Sequence, residues 1–219
     1  MSNNNSRAVL FDYDGVLADT LENHFTAWKR SFSDLEVQIS RKDYFPTEGM
    51  QLIDFMKRVT KKYGIQKPDY GSILKRKEYY FSEDYKFSLF PGVLSLVNKL
   101  KKNAIKIAVV TAGHKGRLYN TNPKYFLDKF DFILTGDLVK RGKPYPDPYL
   151  KAMAALEVKA ESCIVVENAS LGIKSAKSAG AYCIAVCSSV GKDLLSEADE
   201  IVNKFSDLKE TKKIRELIC

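Results

Sequence analysis

Short apolar segments that each run into residues able to do chemistry constrain this chain more than any other feature. Arg7 to Asp12 (RAVLFD) is one, ending in a carboxylate. Similar runs recur at Ile105–Thr111, Phe130–Leu134, Ser162–Glu167 and Tyr182–Val186. Helical patterns lie between them, at Gly92–Lys102, Tyr119–Lys129, Pro148–Leu156 and Leu171–Ala179. Continuously apolar strands alternating with amphipathic helices predict an α/β fold: a parallel sheet covered on both faces. From Asp19 to Ser88 the alternation stops and only helical periodicity remains. Phe25, Trp28 and Phe32 mark one face, Phe55, Met56 and Val59 another, and Ile73, Tyr80 and Phe81 a third. This segment reads as a small helical lid inserted after the first strand. Phe90-Pro91-Gly92 is the expected return hinge, with Pro91 poised at a helix start.

In an open parallel sheet, ligands bind beyond the carboxyl ends of the strands, so the residues there matter most. After the first strand come Asp12, Tyr13, Asp14 and Gly15. A turn at Gly15 can bring Asp14 over the same spot as Asp12, and two carboxylates so close need a cation or a shared proton between them. After the next comes Thr111-Ala112-Gly113, a hydroxyl with backbone N–H groups suited to a phosphate. Gly142-Lys143-Pro144 then precedes a helix, and Glu167-Asn168 follows the fourth run with two oxygen donors of the kind Mg²⁺ accepts. Taken singly, Asp12 and Asp14 read also as turn residues, Thr111 and Glu167-Asn168 as caps, and Lys143 as a solvated charge. Their joint occurrence at successive strand ends, in this order, argues against coincidence.

Composition narrows the partners. The chain carries 35 basic and 27 acidic residues, a net charge of +8, which suits nucleic acid, lipid head groups or phosphorylated metabolites alike. Residues 19–88 hold 13 basic against 11 acidic side chains and the remainder 22 against 16. Most of the surplus is thus on the core, away from a site that is itself acidic, and no aromatic–basic strand pattern points to nucleic acid. The longest apolar run is broken by Lys106, so no membrane span is expected, and Met1 to Arg7 lacks the apolar stretch of a signal peptide. Cys163, Cys183, Cys187 and Cys219 show no C-x-x-C spacing and read as small hydrophobes in a reducing compartment. A cytoplasmic monomer is the expectation, and charge alone leaves the choice among these anionic partners to the site.

The segments FDYDGVLADT, VVTAG, GKPYPDPY and VVENASLGIKSAKSAG resemble the four motifs of the haloacid dehalogenase-like superfamily. Order, spacing and the inserted lid, opening on TLENHFTAWKRSF, resemble its beta-phosphoglucomutase-like branch. The resemblance covers nearly the whole chain. It implies a Rossmann-like α/β core (1–18 and 89–219) carrying an all-helical cap (19–88), and a phosphoryl-transfer site. Asp12 would attack phosphorus and form an aspartyl-phosphate, and Asp14 would serve as acid and then base. Thr111, with the backbone of Ala112 and Gly113 and with His114 following, would hold the phosphoryl oxygens, and Lys143 would offset their charge. Mg²⁺ would bind Asp12, the Asp14 carbonyl, Glu167 and Asn168.

Two departures from the family pattern bear on function. The last motif usually ends in two acids, and Asn168 in place of the second removes one negative charge from the metal site, so weaker Mg²⁺ affinity is expected. The mutases carry an arginine in the cap stretch after Gly49 to hold a second phosphate, whereas Met50-Gln51-Leu52-Ile53 offers none. Losing that clamp favours a Mg²⁺-dependent phosphatase of a small phosphate monoester, such as a sugar phosphate. A phosphosugar mutase and a phosphometabolite-binding protein with weak catalysis are the alternatives. His24, four residues before Trp28 on one helix face, either packs the lid or looks into the cleft towards substrate or Asp14. Lys75-Arg76-Lys77 is either a solvated basic face or, by the resemblance, the cap stretch whose Lys77 reaches substrate.

Overall fold

Six parallel strands form one sheet in a computed structural model that describes residues 7–218. They are β1 (Ala8–Phe11), β2 (Lys106–Val110), β3 (Phe132–Leu134), β4 (Cys163–Glu167), β5 (Tyr182–Val186) and β6 (Glu200–Val202). Their spatial order is β3-β2-β1-β4-β5-β6. β1 is therefore central, with Phe11 level with Val109 of β2 on one side and Val166 of β4 on the other. The chain winds outwards in both directions from β1, which opens a crevice at the carboxyl ends of β1, β2 and β4. The five apolar runs are the first five strands. β6 lies outside the expected runs, since its apolar residues are only Ile201 and Val202, flanked by Glu200 and Asn203.

Alternation along β1 feeds two cores. Val9 and Phe11 join the buried cluster with Val97, Leu100, Phe126 and Ile214; Ala8 and Leu10 join the opposite one with Tyr149, Ile173 and Ala176. The cap is α1 (Leu21–Ser33), α2 (Arg41–Tyr44), α3 (Leu52–Lys62) and α4 (Tyr70–Asp84). On the core lie α5 (Val93–Lys102), α6 (Lys115–Thr121), α7 (Lys124–Leu127), α8 (Asp147–Ala155), α9 (Ser170–Ser178) and α10 (Lys212–Ile218). The helix expected over Tyr119–Lys129 is instead split between α6 and α7. Pro123 has no N–H to continue the ladder and pushes Asn122 into extended backbone, φ −122° and ψ 141°. The Asn122 amide then donates to the Leu118 carbonyl at 2.7 Å and closes the broken end.

Where the chain leaves and re-enters the core, its two linkers are bonded to each other. Asp19 N donates to the Ser88 carbonyl at 3.2 Å, Phe90 N to that of Leu17 at 3.1 Å, and Ala18 pairs antiparallel with Leu89. Gly92, at φ +93°, then caps α5, a conformation that a residue with Cβ would hold under strain. No described helix is long and apolar enough to cross a membrane. Cys163, Cys183 and Cys187 are free thiols, while Met1 to Ser6 and Cys219, also read above, fall outside the described residues.

The cap has its own core, built from Trp28, Phe32, Phe55, Met56, Val59 and Ile73. Trp28 and Phe32 pack on Phe55, with ring centroids 4.9 and 6.3 Å away. Phe25 and Tyr80, assigned to buried faces by periodicity, are only half-buried, and the Tyr80 hydroxyl donates to Asp34 at 2.9 Å. Phe32 has no exposed surface. Phe32→Ala is expected to remove about 3 kcal/mol or more from stability measured by urea unfolding; a loss below about 1 kcal/mol would mean that the cap core collapses around the gap.

Candidate active site

Asp12 ends the central strand, its N–H donating to the Val166 carbonyl of β4 at 2.9 Å. That places its carboxylate between two neighbouring strand ends. Lys143, from the loop before α8, reaches in and donates to Asp12 Oδ1 at 2.6 Å, to Glu167 Oε1 at 2.5 Å and to the Val110 carbonyl at 3.2 Å. The ammonium is buried, so the reading of Lys143 as a solvated charge is overturned. Glu167 also accepts from the Tyr149 hydroxyl at 2.7 Å and from Asn168 N at 3.0 Å. A Cβ on Gly172, at the start of α9, would collide with the Glu167 carboxylate. Burial pushes Asp12 up to about 7, with Lys143 pulling the other way and Glu167 and Asp14 adding to the rise. Burial works against the Lys143 charge, but the two carboxylates overcome it and hold the ammonium above its ordinary value.

Asp14 takes different partners. Gly15, at φ +85°, turns the chain sharply after it, and a Cβ there would strike the Asn168 amide. The Asp14 carboxylate accepts from both ends of the Arg117 guanidinium, Nη1 at 3.2 Å and Nη2 at 2.7 Å. It also accepts from Thr20 at 2.7 Å, Thr111 at 3.3 Å and His24 Nε2 at 3.0 Å. Burial alone would raise the Asp14 carboxyl; Arg117 and His24 outweigh it and hold it well below the usual carboxylate range. His24 is lowered to about 4 by burial and by Lys77 and Arg117, so its ring is neutral at pH 7. Nε2 then carries the hydrogen facing Asp14, because an ionised carboxylate can only accept. Of the two readings of His24, the cleft-facing one matches this geometry, while the ring's stack on Phe81 at 4.3 Å also packs the lid.

One cavity collects these groups between cap and core. Its wall includes Asp12, Asp14, His24, Trp28, Glu48, Thr111, Ala112, Gly113, Arg117 and Asn168, around a volume of about 60 Å³. Lys143 and Glu167 join it through Asp12. Two expected substrate contacts lie elsewhere. His114 is half-buried at the start of α6, outside the wall. Lys77 has no exposed surface, contrary to a solvated basic face, and pairs with Glu78 at 2.9 Å. Gly113 N, read as available for phosphate, donates to the Thr111 hydroxyl at 3.0 Å.

Arg117 and Glu48 also line the wall and are not among the residues the sequence singles out. The signals they do carry are weak: Arg117 stands four residues after Gly113 at the start of a helix, and Glu48 immediately precedes Gly49. Glu48 Oε2 accepts from the Asn168 amide at 3.3 Å, and its buried Oε1 has no partner. Burial, with Asp12, Asp14 and Glu167 nearby, pushes Glu48 up to about 8. Among the described residues no three His, Cys, Asp or Glu side chains already converge as a metal cage.

Lys143 is the counter-charge on which two buried carboxylates depend. Lys143→Met keeps the apolar stem and is expected to destabilise the fold by about 3–5 kcal/mol at pH 8. Without the ammonium, Asp12 holds a proton to still higher pH in the folded state than in the unfolded chain. Folded Lys143→Met therefore loses stability as pH rises, and the deficit against the wild type shrinks at pH 5.5. Urea unfolding at the two pH values checks this; equal deficits would contradict it.

Known proteins align with this arrangement along its length. The profile of the haloacid dehalogenase-like hydrolases matches residues 9–186. Beta-phosphoglucomutase of Bacillus subtilis (strain 168) is 31% identical over 92% of this chain and 91% of its own. The phosphorylated carbohydrates phosphatase of Thermotoga maritima is 32% identical over 79% and 81% of the two chains. The crystal structure of beta-phosphoglucomutase from Clostridium difficile superposes with a TM-score of 0.81, covers 97% of both chains and shares 27% identity. The sheet order, the helical cap and the strand-end residues thus have one source: the chain belongs to the haloacid dehalogenase-like hydrolases, an enzyme of their beta-phosphoglucomutase-like branch.

Proposed function

We propose that the chain is a Mg²⁺-dependent phosphatase that hydrolyses a small phosphate monoester, with sugar phosphates the leading class, through a phosphorylated Asp12. The observation that carries this reading is the buried Lys143 bonded to both Asp12 and Glu167 beside a cavity that also holds Asp14. Lys143 occupies Asp12 Oδ1, which leaves Oδ2 for attack on phosphorus. Thr111 and the backbone around Ala112 hold the phosphoryl oxygens, and Lys143 offsets charge that develops on them. Asp14 protonates the leaving oxygen and afterwards draws a proton from the water that cleaves the aspartyl-phosphate. With Arg117 and His24 bonded to it, Asp14 is in the base form; acting as acid requires the Arg117 contact to loosen.

The donor set fits Mg²⁺. Asp12, the Asp14 carbonyl, Glu167 and Asn168 are oxygen donors, and the unpartnered Glu48 Oε1 on the same cavity supplies a carboxylate that Asn168 lacks. Bound there, Mg²⁺ supplies the positive charge that lets an anionic nucleophile approach an anionic phosphate.

We take residues 19–88 as the cap and the remainder as the core. The cavity is far smaller than the several hundred Å³ of an ordinary ligand pocket, so admission of a sugar phosphate requires the cap to swing on its paired linkers. Gln51 favours a phosphatase over a mutase. In the stretch Met50–Ile53, where by the resemblance the mutases carry a phosphate-holding arginine, the Gln51 side chain instead donates to the carbonyls of Gly136 and Val139 at 3.2 and 3.1 Å, tying cap to core.

A screen over a panel of phosphorylated metabolites, including both glucose 1-phosphates, tests the reading. Release of inorganic phosphate in the presence of Mg²⁺ is the expected result, lowered at least about a thousandfold by Asp12→Asn. Conversion of glucose 1-phosphate to glucose 6-phosphate without free phosphate would establish the mutase instead. Turnover that survives Asp12→Asn would remove Asp12 as nucleophile.

A further inference from the structure

Arg117 carries more binding capacity than its contacts use. Its side chain is 2% exposed, and its sole ion pair among the described residues is with Asp14, a group that must change hydrogen-bond partners during turnover. A guanidinium has five N–H donors, and the buried Nε of Arg117 has no partner at all. The chain keeps room for it, since a Cβ on Gly113 would collide with the guanidinium. Arg117 is also not the lone cation there. Its Cζ lies 5.3 Å from the centroid of Phe81, and Lys77 Nζ lies 5.0 Å from the same ring. His24 stacks on that ring at 4.3 Å. Two basic side chains and an imidazole therefore surround one buried aromatic, and of these Arg117 and His24 also line the cavity. Only two carboxylates answer them, Asp14 and Glu78.

We infer that Arg117 binds a second anionic group of the substrate, with Lys77 supporting it, so that the preferred substrate is a phosphate ester bearing another phosphate or a carboxylate. This rests on the phosphatase reading, in which the transferred phosphoryl group occupies Asp12, Thr111 and Lys143 and leaves Arg117 to the rest of the molecule. Planar, bidentate recognition of a carboxylate or phosphate is what a guanidinium does best, and it already forms that fork with Asp14. The incoming anion takes the place of the Asp14 carboxylate on the fork and frees Asp14 for the leaving oxygen. The clamp that mutases carry on the cap would thus come here from α6 of the core.

Matched substrates test this with the full chain in Mg²⁺: 3-phosphoglycerate against glycerol 3-phosphate, and fructose 1,6-bisphosphate against fructose 6-phosphate. The doubly anionic member of each pair is expected to show a kcat/KM about tenfold or more above its partner. Arg117→Met should abolish that preference, mainly through KM for the doubly anionic member, and Arg117→Lys should restore part of it. Equal loss of kcat for both members with KM unchanged would show that Arg117 only positions Asp14, and would overturn the inference. So would a wild type that does not prefer the doubly anionic members. Calorimetric binding of the same compounds to Asp12→Asn separates the two readings. A binding preference without any turnover by the wild type removes the phosphatase and keeps the role of Arg117, while turnover without a preference does the reverse. Circular dichroism of both Arg117 variants establishes that each is folded.

Discussion

A single buried ammonium sets the terms for the rest of this molecule. Lys143 sits between Asp12 and Glu167 at the ends of neighbouring parallel strands, where removing a charge from water costs several kcal/mol per ion. None of the three is tolerable there alone. Together, with the Tyr149 hydroxyl, the Asn168 N–H and the Val110 carbonyl completing the bonds, they form a network whose members are fixed in place. Fixed charges at a strand end are also what phosphoryl transfer requires, because positioning and electrostatic support supply most of the catalysis. Backbone elements bend around this need: β1 stops at Phe11 so that Asp12 faces the crevice, and α9 starts with room at Gly172 for the Glu167 carboxylate.

The cap completes a second network of opposite character. Asp14 is gripped by Arg117 and Thr111 from the core and by His24 and Thr20 from the start of the cap. Glu48, from the cap side of the cavity, accepts from the Asn168 amide. The cap is therefore linked to Asp14 and to Asn168 through named hydrogen bonds, and about 60 Å³ remains in the cavity between cap and core. The two linkers between cap and core run side by side, paired at Ala18 and Leu89.

How far the sequence could be read follows from the range of each interaction. The first five strands announced themselves because burial on both faces makes a continuous apolar run, and the strand-end residues followed from their place after those runs. β6 offers only two adjacent apolar residues between polar ones, and the break at Pro123 falls within a stretch whose apolar spacing is continuous across it. Lys77 and Lys143 were each open to a solvated reading, because charge on its own does not tell a buried ion pair from a wet surface. Arg117 and Glu48 are illegible in the sequence for a related reason. Each bonds a partner 103 or 120 residues away, and nothing local distinguishes an arginine on a surface helix from one that folds back onto a buried carboxylate. His24 lay between these cases, since helical spacing put it beside Trp28 but could not show that Asp14 was opposite.

The central claim is that Asp12 itself carries the phosphoryl group between substrate and water. Acid-quenched single turnovers with a ³²P-labelled substrate, followed by proteolysis and mass spectrometry, test it most directly. The account predicts transient label on the peptide that contains Asp12, formed and lost at rates compatible with turnover. Phosphate release with no protein-bound label at any time, or label on another residue, would contradict it.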